Sequence, residues 1–279
     1  MEMAYAQAVA LKRRQLWLGL LLLAVLVLLS GHVAEISFSK LYQQIGGFSS
    51  YIDRIFHLEN GRPVFSDPAE WFWGWKKWLA LMGETLLMAY LGTLLGATAA
   101  FVLCFLASQN LTKSKGVVFF TRRFMEFCRT VPELVFALIF VVAFSLGPLP
   151  GILALAIHTA GALGKLFAEV VENIDMKPVD GVVATGGNWL HKIRFAVLPQ
   201  VASNFASYAL LRFEINVRGA SVLGFVGAGG IGQTLLEVIR KFYYADVSAL
   251  LVMIIATVMI IDAVTERIRH KLIGLETKS

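Results

Sequence analysis

Long apolar runs separated by short polar segments dominate the chain. A helix needs about 20 mainly apolar residues to cross a bilayer. Six runs approach or meet that length, at about 15–33, 83–108, 131–148, 150–168, 200–217 and 246–264. The first, LWLGLLLLAVLVLL, follows Lys12, Arg13 and Arg14 and ends near the small residues Ser30 and Gly31, as a signal peptide would. Five further spans make a retained anchor the better reading. The pattern predicts an all-α integral membrane protein with about six transmembrane helices. Its expected parts are a terminus at 1–14, a first span at 15–33, an outer loop at 34–82, a five-span core at 83–265 with an inner loop at 169–199, and a tail at 266–279.

Composition agrees. The chain is 57 % hydrophobic before its 24 glycines are counted, and 16 % charged. Soluble domains run at about 45–50 % with glycine included, and about 25 % charged. Mean hydropathy is +0.70. A soluble enzyme, a disordered tail and a fibrous repeat are all poor fits. The net charge of +6 is spread along the chain, with no basic stripe interleaved with aromatics, so it marks topology rather than nucleic acid. With the N-terminus inside, fifteen of the 25 Lys and Arg fall on the inner side and eight outside, while Lys165 and Arg212 lie within spans. That bias predicts both termini in the cytoplasm. Cys104 and Cys128 read as two inert apolar thiols, with no disulfide framework and no metal site.

The outer loop closes in PAEWFWGWKKWLALM. Trp beside Lys predicts a helix lying in the headgroup zone, rings at the interface and amines in water. Gly147-Pro148-Leu149-Pro150-Gly151 predicts a tight turn between the third and fourth spans. The inner loop reads as a helix, a break at Gly186-Gly187, and a second short helix capped by Asn188, with Val182 and Val183 as apolar contacts on the first. Pro199 suits the first turn of the next span. Such a hairpin at the inner face is a knob for a cytoplasmic socket.

Spacing within that hairpin carries a resemblance. Binding-protein-dependent ABC importers share a permease loop of Glu-Ala-Ala, three residues, Gly, nine residues, Ile, one residue, Leu-Pro. Here Asp180 stands six before Gly186, and Leu198-Pro199 closes the pattern at the right distance. Asp180 replaces Glu, Gly181 and Val182 replace the two Ala, and Ala196 replaces Ile. Further runs resemble the phosphonate-import branch of that superfamily: Asn216-Val217-Arg218 with Ala220, Val222, Gly224 and Val226 to Gly232; Ala184-Thr185-Gly186; Ile157-His158-Thr159; and Arg212-Phe213-Glu214. The likeness covers about 80–275.

The resemblance implies a type-1 ABC importer permease fold in a bacterial inner membrane. It implies a homodimer with two cytoplasmic ATP-binding subunits and a periplasmic binding protein for phosphonate, phosphite or hypophosphite. The chain would bind no cofactor of its own, with ATP and Mg on the partner ATPase. Asp180, Gly181, Gly186, Trp189, Leu198 and Pro199 would receive the ATPase's motion.

Ionisable residues inside spans are costly and therefore functional suspects. His158, Lys165, Arg212 and Arg218 are candidates for positive potential along an anion's route, with Glu214 beside them. Glu214 and Arg218, four apart, also suit a simple ion pair. Gly227, Gly229 and Gly230 offer backbone N–H groups to an anion; equally, small residues let membrane helices approach. Glu133 and Asp262 read as packing or interfacial groups, and Glu84 as solvated. Gly227, Gly229 and Gly232 also spell G-x-G-x-x-G, yet a span follows where a dinucleotide fold needs a strand. Rival readings are a permease of the same superfamily for another solute, an intramembrane enzyme using His158, Glu133 or Asp262, and a passive channel. No H-E-x-x-H, G-x-S-x-G or G-x-x-x-x-G-K-[ST] occurs.

Overall fold

The structure, a computed structural model, describes the backbone of residues 2–34 and 37–276, with side chains from Ala10 to Leu272 apart from Phe38 and Leu41. Among the described residues the regular structure is helical, with one isolated bridge between His57 and Pro63. The chain divides into two units, residues 1–54 and 55–279. The first holds α1 (Glu2–Val33) and nearly all of α2 (Phe38–Ile55). Helix α1 starts well before the expected span, so most of the predicted 1–14 tail is helical. Its Ala10–Val33 stretch is apolar on all sides and, at 1.5 Å per residue, about 36 Å long, enough to cross a bilayer. Helix α2 is amphipathic and lies within the predicted outer loop.

The second unit contains α3 (Pro68–Trp71), α4 (Trp75–Ala107), α5 (Lys115–Thr130), α6 (Glu133–Phe144), α7 (Pro148–Glu172), α8 (Lys177–Ala184), α9 (Trp189–Lys192), α10 (Leu198–Leu223), α11 (Ile231–Arg240) and α12 (Tyr244–Glu276). Counted with α1, four helices are long and apolar enough to span alone, and two bent pairs raise the number to six. The bends are 85° between α5 and α6, and 46° between the α9–α10 stretch and α11.

Three expectations are corrected. The third span is not one helix over 131–148. Helix α6 has 12 residues, about 18 Å, and α5 precedes it where an inner loop was expected. Pro132 lacks an N–H and holds Val131 extended (φ −72°, ψ 123°), so the helix breaks there. Nor does the Trp-rich segment form a separate interfacial helix. Trp78 lies inside α4, and Trp71 and Trp78 are buried with Val64, Met82, Leu235 and Leu250 against α11 and α12. The Trp71 indole N–H donates to Ser248 Oγ at 2.9 Å, and exposed Trp73 donates to Asp246 Oδ1 at 2.9 Å. Finally, α12 runs on to Glu276, so the predicted tail continues a helix; Lys278 lies outside the described residues.

Helices α4 and α7 make the central seam. A Cβ on Gly92 would sit 2.6 Å from Leu155 Cβ, and one on Gly96 would sit 2.6 Å from Thr159 Cβ and 2.7 Å from the Ala156 carbonyl oxygen. Two glycines one turn apart thus let the backbones approach, which matters in lipid, where no hydrophobic push drives helices together. At one end of the seam Cys104, Phe105, Phe167, Val197 and Phe205 pack together; near its middle Ala89, Leu155, Val217 and Leu223 do so.

Candidate functional site

A polar cluster lies inside this apolar body. Arg212 and Asn216, one turn apart on α10, both reach α7. The Asn216 amide donates to Thr93 Oγ1 (2.8 Å) and Thr159 Oγ1 (2.9 Å), and the Thr93 hydroxyl donates to the Ala89 carbonyl (2.6 Å). Thr93, Thr159 and Asn216 are fully buried. Arg212 Nε donates to Thr159 Oγ1 (3.3 Å), and its Nη2 lies 2.6 Å from His158 Nδ1. Glu133 Oε2 lies 3.0 Å from the same His158 nitrogen and 3.9 Å from Arg212 Nη2. The other imidazole nitrogen, Nε2, is 3.1 Å from the Arg129 carbonyl at the end of α5.

Donor logic ranks these contacts. With Nε2–H donated to Arg129, neutral His158 offers its Nδ1 lone pair to Arg212. A hydrogen bond from Nδ1 to Glu133 instead needs a proton on that nitrogen. Arg212 and Glu133 therefore compete for one imidazole nitrogen. Glu133 sits in the first turn of α6, beside the break, where the positive end of the helix favours a carboxylate.

The inner hairpin forms as the spacing suggests. Gly186 takes φ +80°, which glycine tolerates, at the break between α8 and α9. The Asn188 side chain accepts from the His191 N–H (3.0 Å), and the Asn188 N–H donates to His191 Nδ1 (3.3 Å). A π-helical turn, Ile193–Val197, leads into α10, where Pro199 lacks the N–H that an unbroken α-helical ladder would use. Buried Val179, Ile193, Ala196 and Val197 anchor the hairpin, with Val182 partly buried, while Val183 is exposed and makes no such contact. Asp180, Gly181 and Trp189 are exposed, and Leu190 is 66 % exposed. The Gln200 amide grips the hairpin from α10, accepting from the Asp175 N–H (3.1 Å) and donating to its carbonyl (3.2 Å). Glu172, the last residue of α7, ties that helix to α5 through Arg122 Nη2 (2.5 Å) and accepts from the Gln109 N–H (2.7 Å).

Residues 92–273 match the family model for the inner membrane component of binding-protein-dependent transport systems. The chain belongs to that family. A phosphite transport system permease protein, PtxC, of Stutzerimonas stutzeri is 40 % identical over 192 residues, 69 % of this chain and 70 % of its own length. A putative cryptic phosphonate transport system permease protein, PhnE2, of Escherichia coli K12 is 53 % identical over 121 residues, 43 % of this chain and 99 % of its own. Among solved structures, a chain of the MetNI methionine ABC transporter in an inward-facing conformation superposes with TM-score 0.61 at 19 % identity. It covers 70 % of this chain and 95 % of that one, which shows a shared fold. This permease is thus a multi-pass inner-membrane transport subunit of ABC-importer fold.

The other path candidates of the permease divide. His158 and Arg212 meet. Lys165 does not join them; it pairs with Glu169 at 3.5 Å and lines a cleft of about 210 Å³ with Arg122 and Glu126. Glu214 and Arg218 pair at 2.5 Å on another face of α10, with Arg269 of α12 3.7 Å from Glu214. At the glycine loop, two of the three glycine amides read as anion donors, those of Gly227 and Gly230, are already bonded within the chain. Gly227 N–H donates to the Gly224 carbonyl (3.0 Å), Gly230 N–H to Glu84 Oε1 (3.3 Å), and Ile231 N–H to Thr85 Oγ1 (2.9 Å). Glu84, read as solvated, is thus a helix cap. Gly227, Gly229 and Gly230 all take positive φ, and a Cβ on Gly230 would lie 2.5 Å from Thr85 Oγ1. Glu133, read as packing, belongs to the polar cluster. Thr93 and Gln200 escaped sequence reading because uncharged side chains on apolar helices give no signal until their partners are known; Thr159 entered only as part of the run Ile157-His158-Thr159.

Proposed function

We propose that this permease is the membrane-spanning subunit of an ATP-driven importer for phosphonate or a reduced phosphorus oxyanion such as phosphite. The supporting observation is a buried Arg212 guanidinium held against the His158 ring in a chain whose relatives are named for phosphite and phosphonate transport. The permease works as a homodimer, with both termini in the cytoplasm, two ATP-binding subunits on the hairpins, and a periplasmic binding protein delivering the anion. It makes and breaks no bonds; ATP and Mg belong to the partner ATPase. Selectivity before release rests with the binding protein, because a path that held the anion tightly would trap it.

Closure of the ATPase pair pushes the 174–199 hairpin. The exposed Asp180, Gly181, Trp189 and Leu190 surface receives the force, and the Leu198-Pro199 junction passes it to α10, which carries Arg212. Growth on phosphite or a phosphonate as sole phosphorus source, with and without this subunit, tests the reading. Growth that depends on the subunit supports it. Equal growth in both strains, or subunit-dependent uptake of a solute without phosphorus, overturns it.

A further inference from the structure

Glu133 is the acid of the polar cluster, and its position relative to Arg212 is informative. Its carboxylate stands 3.9 Å from Arg212 Nη2, too far for a hydrogen bond, while the guanidinium's own contacts are neutral: Thr159 Oγ1 and the His158 ring. Arg212 is thus a buried fork, its side chain 11 % exposed, placed by a rigid Thr93–Asn216–Thr159 network and served by its counter-charge only at a distance. Glu133 is more exposed, at 26 %, and hangs from the break between α5 and α6, where turning the side chain away sacrifices no helical hydrogen bond. The carboxylate lies close against Gly219, where a Cβ would stand 2.8 Å from Glu133 Oε1, so a side chain there would press on it.

We propose that Glu133 is an internal stand-in for the cargo, a carboxylate that faces Arg212 and His158 while the path is empty and that a phosphorus oxyanion displaces during passage. This rests on the anion-import reading above. An oxyanion presents two oxygens to the guanidinium fork, a geometry Glu133 does not reach from its present position. The returning carboxylate then competes the anion off, which keeps binding weak and lets the solute leave. No bond is made or broken; two anions exchange on one cationic pair.

The test uses the assembled importer with its ATPase and binding protein, measuring phosphite uptake, phosphite-stimulated ATPase activity, and co-purification of the subunits. Glu133→Gln alone is expected to let the membrane domain, without binding protein, hold phosphite at least tenfold more tightly and to slow uptake. The double variant Glu133→Gln with Arg212→Gln removes both charges together. Cargo exchange predicts that it assembles but loses uptake at least tenfold; uptake at the wild-type rate would make the pair purely structural and overturn the proposal. If the double variant does not assemble, Arg212→Lys, which keeps the charge but loses the fork, decides. Uptake reduced severalfold with assembly intact supports exchange, and unchanged uptake overturns it. A wild-type importer that carries no phosphorus oxyanion refutes the import reading instead, a separate result.

Discussion

The two ends of α10 use glycine in different ways. At its start, Gly186 of the hairpin turns the chain at φ +80°, yet a Cβ there would meet nothing within 4 Å. At its end, Gly224 and Gly232 lie back to back: a Cβ on Gly232 would strike the Ser221 carbonyl oxygen and lie 3.3 Å from Gly224 Cα. At Gly186 the hairpin needs glycine for backbone angle alone, although a Cβ on the adjoining Gly187 would stand 2.5 Å from Val182 Cγ1, and the hairpin leaves Trp189 and Leu190 uncovered. The loop needs it for space at Gly224 and Gly232 and for backbone angle at Gly227, Gly229 and Gly230, and its Gly230 and Ile231 amides bond to Glu84 and Thr85. One end leaves apolar side chains exposed beside an open turn, the surface the proposed ATPase contact would use; the other is a tightly packed joint.

The largest effect should come from the closed joint. Gly232→Ala should cost about 4 kcal/mol or more, because only backbone atoms stand in the way, and should show as loss of folded permease in membranes and a much lower unfolding temperature. Next comes the seam: Gly96→Ala forces Thr159 and the Ala156 carbonyl aside, expected to cost about 1–3 kcal/mol in detergent unfolding. Gly186→Ala meets no atoms and should cost only the left-handed conformation, about 1–2 kcal/mol, while lowering ATPase stimulation by loaded binding protein. Unchanged stimulation would mean that the hairpin does not transmit force. Smallest in stability is Leu190→Ser, within about 0.5 kcal/mol, with loss of co-purification with the ATPase as its readout. A large stability loss there, or a small one at Gly232, would erase the contrast between the two ends.

The hairpin was legible because its signals are local. Gly186, Asn188 and Pro199 act within a few residues of themselves, so spacing alone predicts a break, a cap and a helix start. The glycine loop was legible only as an ambiguity, since G-x-G-x-x-G looks the same whether its amides await an anion or are already bonded. Glu84 and Thr85, about 145 residues away in sequence, are the partners that hold the Gly230 and Ile231 amides. Glu133 was misread for the same reason: its partners His158 and Arg212 lie 25 and 79 positions further on.

The sequence by itself determined that this protein lives in lipid, roughly where its helices run, and that a helical hairpin breaks at Gly186 between the fourth and fifth spans. These follow from apolar run length and short-range backbone chemistry, which act along the chain. Tertiary structure alone decided that Trp71 and Trp78 are core rather than interfacial, and that one acid, one imidazole and one guanidinium share a site. Those depend on which helices touch, and helix contacts in a bilayer are set by close packing and hydrogen bonding between distant segments, a property no short stretch of sequence carries.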